Sequence, residues 1–425
     1  NIIRGYETHD GFNAQFAVVD EERAIAVPEA LKTHSPERLA AMLLTYGTAY
    51  RAVVERLAVG PGDTVLLMGG GKGTSFAGAQ LAKTLGARVI LMGSNPELGR
   101  WLIERRMADA FIDRRRIPDH VFGPVPAGIS RGDWLARTES FRQAVAAANA
   151  GRPVDKIFEH TGGRNFPLLV SALAENGRLA FFGATGQGLK GEYKETFFYG
   201  ERRFVLDARW VWMRQKQVLF RNRSPRDIFA EIRLPAGRRG LIWGADTYAR
   251  DFAQAALERR AALAVIASRS RDAEGIRELR RLGVGDTAII DRDRFDLNDD
   301  MPDPLTEEGQ PNPAYGRDYM AAARSLGKAV WDVFGPRVSP DFVVERIDQS
   351  TLHFSTFLLR DFNEPDDMPC GYVVARGPSN LSILGSHMYR SSQARDVVRL
   401  LAQNLLVMEQ EDLEVVTLAG LPEVQ

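Results

Sequence analysis

The chain has 425 residues, 44% of them apolar, and carries 55 basic against 55 acidic side chains. At roughly 150 residues per domain this is material for two or three domains. Zero net charge excludes a global electrostatic footprint for nucleic acid, and no apolar run approaches the roughly 18 residues of a membrane span. The single cysteine, Cys370, can form neither an internal disulfide nor a cysteine-rich metal site. That usage suits a reducing, cytoplasmic setting. The first five residues show no start methionine and no signal-peptide pattern, so the chain reads as a piece of something longer.

Residues 12–19 (FNAQFAVV) and 24–27 (AIAV) read as short strands. Residues 36–57 have helical apolar spacing and begin at Ser35-Pro36, an N-cap followed by an N1 proline. From Thr64 strands and helices alternate. Strands are expected over 64–68, 88–93, 109–114, 154–160 and 177–183, with helices over 74–86, 98–107, 137–150 and 166–176. Residues 114–131 read as a Pro/Gly/Arg surface loop. The alternation restarts at Gly240, with strands over 240–244, 263–268, 287–291, 342–346, 370–376 and 381–386. Helices fall at 249–260, 272–282, 317–334 and near 350–359, and the acidic, proline-rich stretch 296–313 reads as loop.

Strands apolar on both faces, alternating with helices, predict a doubly wound parallel α/β sheet. The order of landmarks repeats. Glu159, Phe166 and Gly177 in the first run correspond to Glu345, Phe354 and Gly371 in the second. The spacing is too long for a solenoid, so the fold class is α/β with two tandem Rossmann-like units. The first spans 36–235 and the second, degenerate, 236–405.

The run MGGGKGTSFAG (68–78) follows a predicted strand and opens a predicted helix. In that context a glycine cluster is informative. The backbone must turn tightly and approach a pyrophosphate, which meets free amides at a helix N-terminus. Gly69, Gly70, Gly71, Lys72, Gly73, Thr74 and Ser75 are the candidates; a βα turn without ligand is the alternative. At the end of the second strand NAD enzymes place a carboxylate on the ribose 2′-hydroxyl. Here the segment is Gly93-Ser94-Asn95-Pro96, with Arg100 one turn later. A hydroxyl plus an arginine favours NADP(H), unless Arg100 is merely a solvated helix residue. The second copy keeps one glycine, in Gly244-Ala245-Asp246, and Asp246 would face a pyrophosphate, so no dinucleotide is expected there.

GYETHDGFNAQF (5–16), TYGTAYRAV (45–53), the GGGKG turn, VDKIFEHTG (154–162) and RWVWMRQK (209–216) together resemble crotonyl-CoA carboxylase/reductase and related medium-chain enoyl-CoA reductases. SLGKAVWD (325–332), VVER (343–346) and ILGSHMYRSSQA (383–394) resemble the end of the same domain. The resemblance implies remnants of a β-rich GroES-like catalytic lobe at both chain ends, 1–35 and 406–425. The family has one Rossmann unit and this chain two. A long insertion in such a reductase is similar to the acryloyl-CoA reductase part of propionyl-CoA synthases, in which ligase and hydratase domains are covalently linked.

What the resemblance implies is hydride transfer from NADPH to a short 2-enoyl-CoA thioester. Gly183-Ala184-Thr185 would border the nicotinamide, with Thr48 near its other side. Arg209 and Lys216 are candidates for CoA phosphates, or else surface charges. Glu7 and His387, the latter aligned with the family's GSH motif, are the catalytic or substrate candidates, each with a purely structural alternative. His160 is read as a cap or packing residue or a cofactor contact. No metal is expected, because the zinc members of the superfamily need cysteines absent here. Pairing of two copies through the Rossmann units is implied as well. Two competing readings stay open: a non-catalytic dimerisation and docking platform of a multienzyme, and an NADPH-dependent quinone or enone reductase.

Overall fold

The computed structural model describes all residues except 1–15, 22–23, 123–127, 162–164, 184–193, 213, 298–300, 303–305, 307–309, 311, 346–350, 361–370, 387–388 and 409–425. In chain order the elements begin with α1 (Pro36–Tyr50), β1 (Thr64–Met68), α2 (Thr74–Thr84), β2 (Arg88–Gly93), α3 (Pro96–Glu104) and β3 (Ala110–Asp113). Then come α4 (Arg131–Ala148), β4 (Val154–Glu159), α5 (Phe166–Ala172), β5 (Leu173–Phe181), a hairpin of β6 (Lys194–Tyr199) and β7 (Arg202–Asp207), α6 (Ala208–Trp212), β8 (Gln217–Arg221) and α7 (Pro225–Glu231). The second alternation comprises β9 (Arg239–Trp243), α8 (Thr247–Glu258), β10 (Ala262–Ala267), α9 (Ala273–Arg281), β11 (Ile289–Asp291), α10 (Met320–Phe334), β12 (Phe342–Val344), α11 (Leu352–Leu358), β13 (Tyr372–Arg376), β14 (Leu381–Gly385) and α12 (Ser391–Ala402).

The α/β reading holds, and the sheet is large and mostly parallel. Twelve strands lie in the order β11-β10-β9-β12-β13-β8-β14-β5-β4-β1-β2-β3. Read outward from the centre, each half repeats the doubly wound order of a dinucleotide fold. Alternate residues of β1 face opposite cores. Leu66 and Met68 join one hydrophobic layer and Val65 and Leu67 the other. That two-sided burial explains why the strands read as unbroken apolar runs.

The sixth strands are exchanged between the halves. β14 pairs in parallel with β5, β8 pairs in parallel with β13, and β8 and β14 meet antiparallel, with Ile383 opposite Val218. The cause is connection length. Only residues 377–380 join β13 to β14, whereas a parallel neighbour needs a crossover of about a dozen residues. β14 must therefore turn back, and β8 fills the gap between β13 and β14. One hydrophobic layer runs through this seam, from Leu66 and Ile90 through Val218 and Ile383 to Leu241 and Ile266. The seam is thus an antiparallel pairing of β8 and β14 within one chain.

Several expected boundaries move. Residues 16–19 and 24–27 form no strand, and Phe16 and Val18 are exposed. The helix expected over 166–176 stops at Ala172, and β5 starts at Leu173, because Asn176 takes a left-handed φ of 63° and donates its amide to Asn380 O. α4 starts at Arg131 instead of 137, since the Ser130 side chain accepts from the Asp133 amide and caps it. No helix among the described residues is long and apolar enough to cross a membrane.

Candidate dinucleotide site

β1 ends at Met68, and the chain turns through Gly69, Gly70, Gly71 and Gly73, with φ of 98°, 76°, 87° and 52°. Such a run of left-handed backbone is available to glycine alone. Packing makes two positions obligatory as well. A Cβ on Gly69 would lie 2.3 Å from His160 Nε2, and one on Gly71 would lie 2.4 Å from Leu102 Cδ1. Gly73 differs, because nothing lies within 4 Å of a Cβ placed there. It stands at the N-cap of α2, and no side chain caps that helix. The Ser75 amide donates to Lys72 O at 3.1 Å, and the turn leads into a helix N-terminus, the kind of element a pyrophosphate uses. Lys72 is exposed and Thr74 half-buried beside it, while Ser75 is buried.

The turn is anchored to β2 and β4. The Gly70 amide donates to Met92 O at 2.9 Å. A Cβ on Gly93 would come within 2.4 Å of Gly70 Cα, so two glycines allow the strand ends to touch. The Ser75 hydroxyl donates to Met68 O and lies 3.0 Å from His160 Nε2. His160 is stacked on Phe182 with ring centroids 5.7 Å apart, and burial holds its pKa below the usual imidazole value.

Beyond β2, Ser94 is exposed, Asn95 Oδ1 caps α3 through the Glu97 and Leu98 amides, and Arg100 is exposed on α3. The β2–β3 register sets Asp113 opposite Gly93. Arg114, Arg115 and Arg116 therefore follow β3 beside the Ser94 end of β2. Arg115 is tied to Asp113, and Arg114 lies over the Phe122 ring. The sequence reading left this arginine run in a surface loop. Strand adjacency, which one sequence does not display, is what gives it a place. Gly183, two residues beyond β5, is in left-handed conformation, 3.7 Å from His160 O at its Cβ position. Thr48 is half-buried on α1, where neighbouring Gly47 receives the Tyr389 ring. Glu7, Ala184, Thr185 and His387 lie outside the described residues.

The two substrate candidates are corrected. Lys216 is fully buried and its ammonium donates to Thr356 O at 2.6 Å. It spans the seam and has no surface to offer a phosphate. Arg209 forms a bidentate pair with fully buried Asp207 and also reaches the Tyr315 hydroxyl. Lys216 is an internal tie to the second half, and half-buried Arg209 reaches Tyr315 of that half.

In that half, Asp246 Oδ1 accepts from the Ala249 amide at 2.8 Å and caps α8. A Cβ on Gly275 would lie 1.9 Å from Ala245 O, so α9 presses on the turn. α8 thus carries the side-chain cap that α2 lacks.

The chain is similar to crotonyl-CoA carboxylase/reductase of Cereibacter sphaeroides, 30% identical over 222 residues, covering 51% of this chain and 47% of the relative. It is also similar to an alcohol dehydrogenase of Schizosaccharomyces pombe, 28% identical over 154 residues, covering 35% of this chain and 42% of that enzyme. Both are oxidoreductases by name. A solved crotonyl-CoA carboxylase/reductase aligns at 28% identity over 59% of this chain and 56% of its own, with a TM-score of 0.39. No family model matches. The chain spans less than half the length of these two curated relatives.

Proposed function

We propose that this chain is the NADPH-binding region of a medium-chain enoyl-CoA reductase, acting on a short 2-enoyl-CoA such as acryloyl-CoA within a propionyl-CoA synthase. The observation that carries the cofactor half of this reading is the turn of four left-handed glycines before an uncapped α2. Gly70 to Ser75 would hold the pyrophosphate, and Ser94, Arg100 and the adjacent Arg114–Arg116 run would receive the 2′-phosphate. NADPH, when bound, supplies a hydride from nicotinamide C4 to the β-carbon of the enoyl thioester, and a proton at the α-carbon completes the saturated acyl-CoA. The chain's own contribution is to fix and orient the cofactor along the C-terminal edge of its strands, ending at Gly183. The acyl-CoA half rests on the sequence motifs and on the similarity to crotonyl-CoA carboxylase/reductase.

Fluorescence titration of the chain with NADPH tests the cofactor reading. Saturable binding of one NADPH per chain is expected, and none, or two, overturns it. Gly71→Asp introduces a clash and a negative charge at the turn and is expected to weaken binding at least ~100-fold, about 2.7 kcal/mol. Arg100→Ala is expected to weaken NADPH about 10-fold, ~1.4 kcal/mol, and to leave NADH unchanged. For substrate, the full-length protein is expected to oxidise NADPH with acryloyl-CoA and not with simple quinones; the reverse preference would make it a quinone or enone reductase.

A second role follows from the seam. We infer that the degenerate unit serves as the built-in pairing partner of the first. Its β13–β14 turn holds β8, and its core layer is continuous with that of the first unit.

A further inference from the structure

The sequence left His160 between a packing role and a cofactor contact, and the site gives it a third. His160 follows β4 and lies half-buried under the glycine turn between Phe158 and Phe182, with ring centroids 6.2 and 5.7 Å away. Its Nε2 lies 3.0 Å from Ser75 Oγ, and the Ser75 hydroxyl also reaches Met68 O. The ring tautomer sets which partner donates in the His160–Ser75 bond. The imidazole is hydrogen-bonded to the Met68 and His160 carbonyls as well, and burial comes first in lowering its pKa. The contacts run from His160 to Ser75 to the last carbonyl of β1. They tie the ends of β4 and β1 to the first turn of α2.

The same ring fills the space beneath Gly69, where a Cβ would lie 2.3 Å from Nε2 and 2.7 Å from Ser75 Oγ. The left-handed path at Gly69 is thus shaped from below by His160, while Gly71 is shaped by Leu102 from the other side. Among the hydrogen bonds of the described residues, a different network lies beneath the second turn. Trp243 ends β9 and donates to Ser355, which in turn donates to buried Glu345. That network points into the core and leaves the α8 turn to Asp246.

We infer that His160 is a positioning residue: acting through the Ser75 hydroxyl, it fixes the path of the glycine turn that would receive the pyrophosphate. This inference rests on the dinucleotide reading above. It predicts that His160 and Ser75 act as one unit, and that the cofactor's 2′-phosphate end does not feel them.

The test is a double-mutant cycle on the whole chain, read by titration with NADPH and, separately, with adenosine 2′-monophosphate, which lacks the pyrophosphate. His160→Phe keeps the aromatic packing and removes the hydrogen-bonding nitrogens; Ser75→Ala removes the relay. Each is expected to weaken NADPH about 10-fold or more, about 1.4 kcal/mol. The double variant is expected to be no weaker than the worse single one, as linked groups are non-additive. His160→Gln, whose amide can place an N–H near the Nε2 position, is expected to recover most of the affinity. Adenosine 2′-monophosphate binding should stay within about 2-fold in all variants that keep the native near-ultraviolet circular dichroism.

Unchanged NADPH affinity in His160→Phe, or effects that multiply in the double variant, overturns the inference and leaves the dinucleotide reading standing. Equal loss of both ligands makes His160 a stability residue and overturns it too. Should His160→Phe fail to fold, the Ser75→Ala and His160→Gln pair decides: both weak, with Gln no better than Ala, is against it. No NADPH binding by the native chain removes both readings together.

Discussion

The two Rossmann-like halves differ most where they are most alike. In each, a strand ends in a left-handed glycine turn whose amide reaches across to the next strand: Gly70 to Met92 O and Gly244 to Ile266 O, at 2.9 and 2.8 Å. In each, a carboxylate from the neighbouring strand region receives an amide at the opposite end: the Thr64 amide to Asp155 at 2.8 Å, and the Arg239 amide to Asp341 at 2.9 Å. The scaffold is therefore duplicated down to single hydrogen bonds. What is not duplicated is the helix end. α2 has no side-chain cap, whereas the Asp246 side chain caps α8 at the Ala249 amide. A turn can keep its geometry for packing after its chemistry is gone, so a glycine turn with an acidic cap marks a structural copy.

The sharpest way to separate the halves is through their paired aspartates. Asp341 is buried between Arg239 and Arg360, with contacts of 3.0 and 2.9 Å, and Arg360 is itself fully buried. Burial pushes the Asp341 carboxyl up, but the two arginines outweigh it and hold the pKa below the ordinary value. A depressed folded pKa gives stability above the unfolded value of about 3.9, lost as pH falls through the folded pKa. Asp341→Asn is expected to cost about 4 kcal/mol at pH 7, by stripping one partner from a buried charge. The gap to the native protein should shrink as pH drops below ~4. Asp155→Asn, which has only an amide to lose to it among the hydrogen bonds described, is expected to cost about 1 kcal/mol. Urea unfolding at several pH values checks both; equal costs would mean the two aspartates do the same work.

The seam tests whether the halves are separable at all. Ile383 is fully buried on β14, opposite Val218 of β8, in the layer shared by both halves. Ile383→Ala is expected to cost about 3 kcal/mol through lost burial and a cavity. Because each half donates a strand to the other, both should lose stability together. Trp134 reports on the first half and Trp243 on the second, and each is buried. Single-tryptophan variants should show one coincident transition; two separated midpoints would break the picture of interlocked units.

How much of this was readable from residues is uneven, for a physical reason. The parallel strands were legible because a strand buried on both faces is apolar throughout: TVLLM of β1 is buried at every position. The glycine turn was legible because positive φ leaves glycine as its signature. Asp246 was read as facing a pyrophosphate, and its capping bond to Ala249 was not foreseen. The strand exchange could not be read, since it depends on which edge is vacant when β14 turns back after residues 377–380. Lys216 and Arg209 misled for a related reason. A cation after an aromatic run looks ligand-facing in sequence, yet Lys216 is buried against Thr356 from a segment 140 positions away. Arg114, Arg115 and Arg116 were passed over because only the β2–β3 register brings them beside Ser94.

The smallest effect concerns the cap that distinguishes the second turn. Asp246→Ala removes the bond from Oδ1 to the Ala249 amide and is expected to cost about 1 kcal/mol. It should not create a second NADPH site, even though it removes the offending charge. Asp246 is one of three obstacles. The turn retains a single glycine, Gly244, where the first has four in left-handed conformation. α9 also abuts the turn, since Gly275 leaves no room for a Cβ against Ala245 O. Stoichiometric titration of Asp246→Ala should therefore still give one NADPH per chain, with a modestly lowered unfolding midpoint. A second equivalent would mean that the acidic cap alone separates the two halves, and that the duplicated scaffold is still competent to bind.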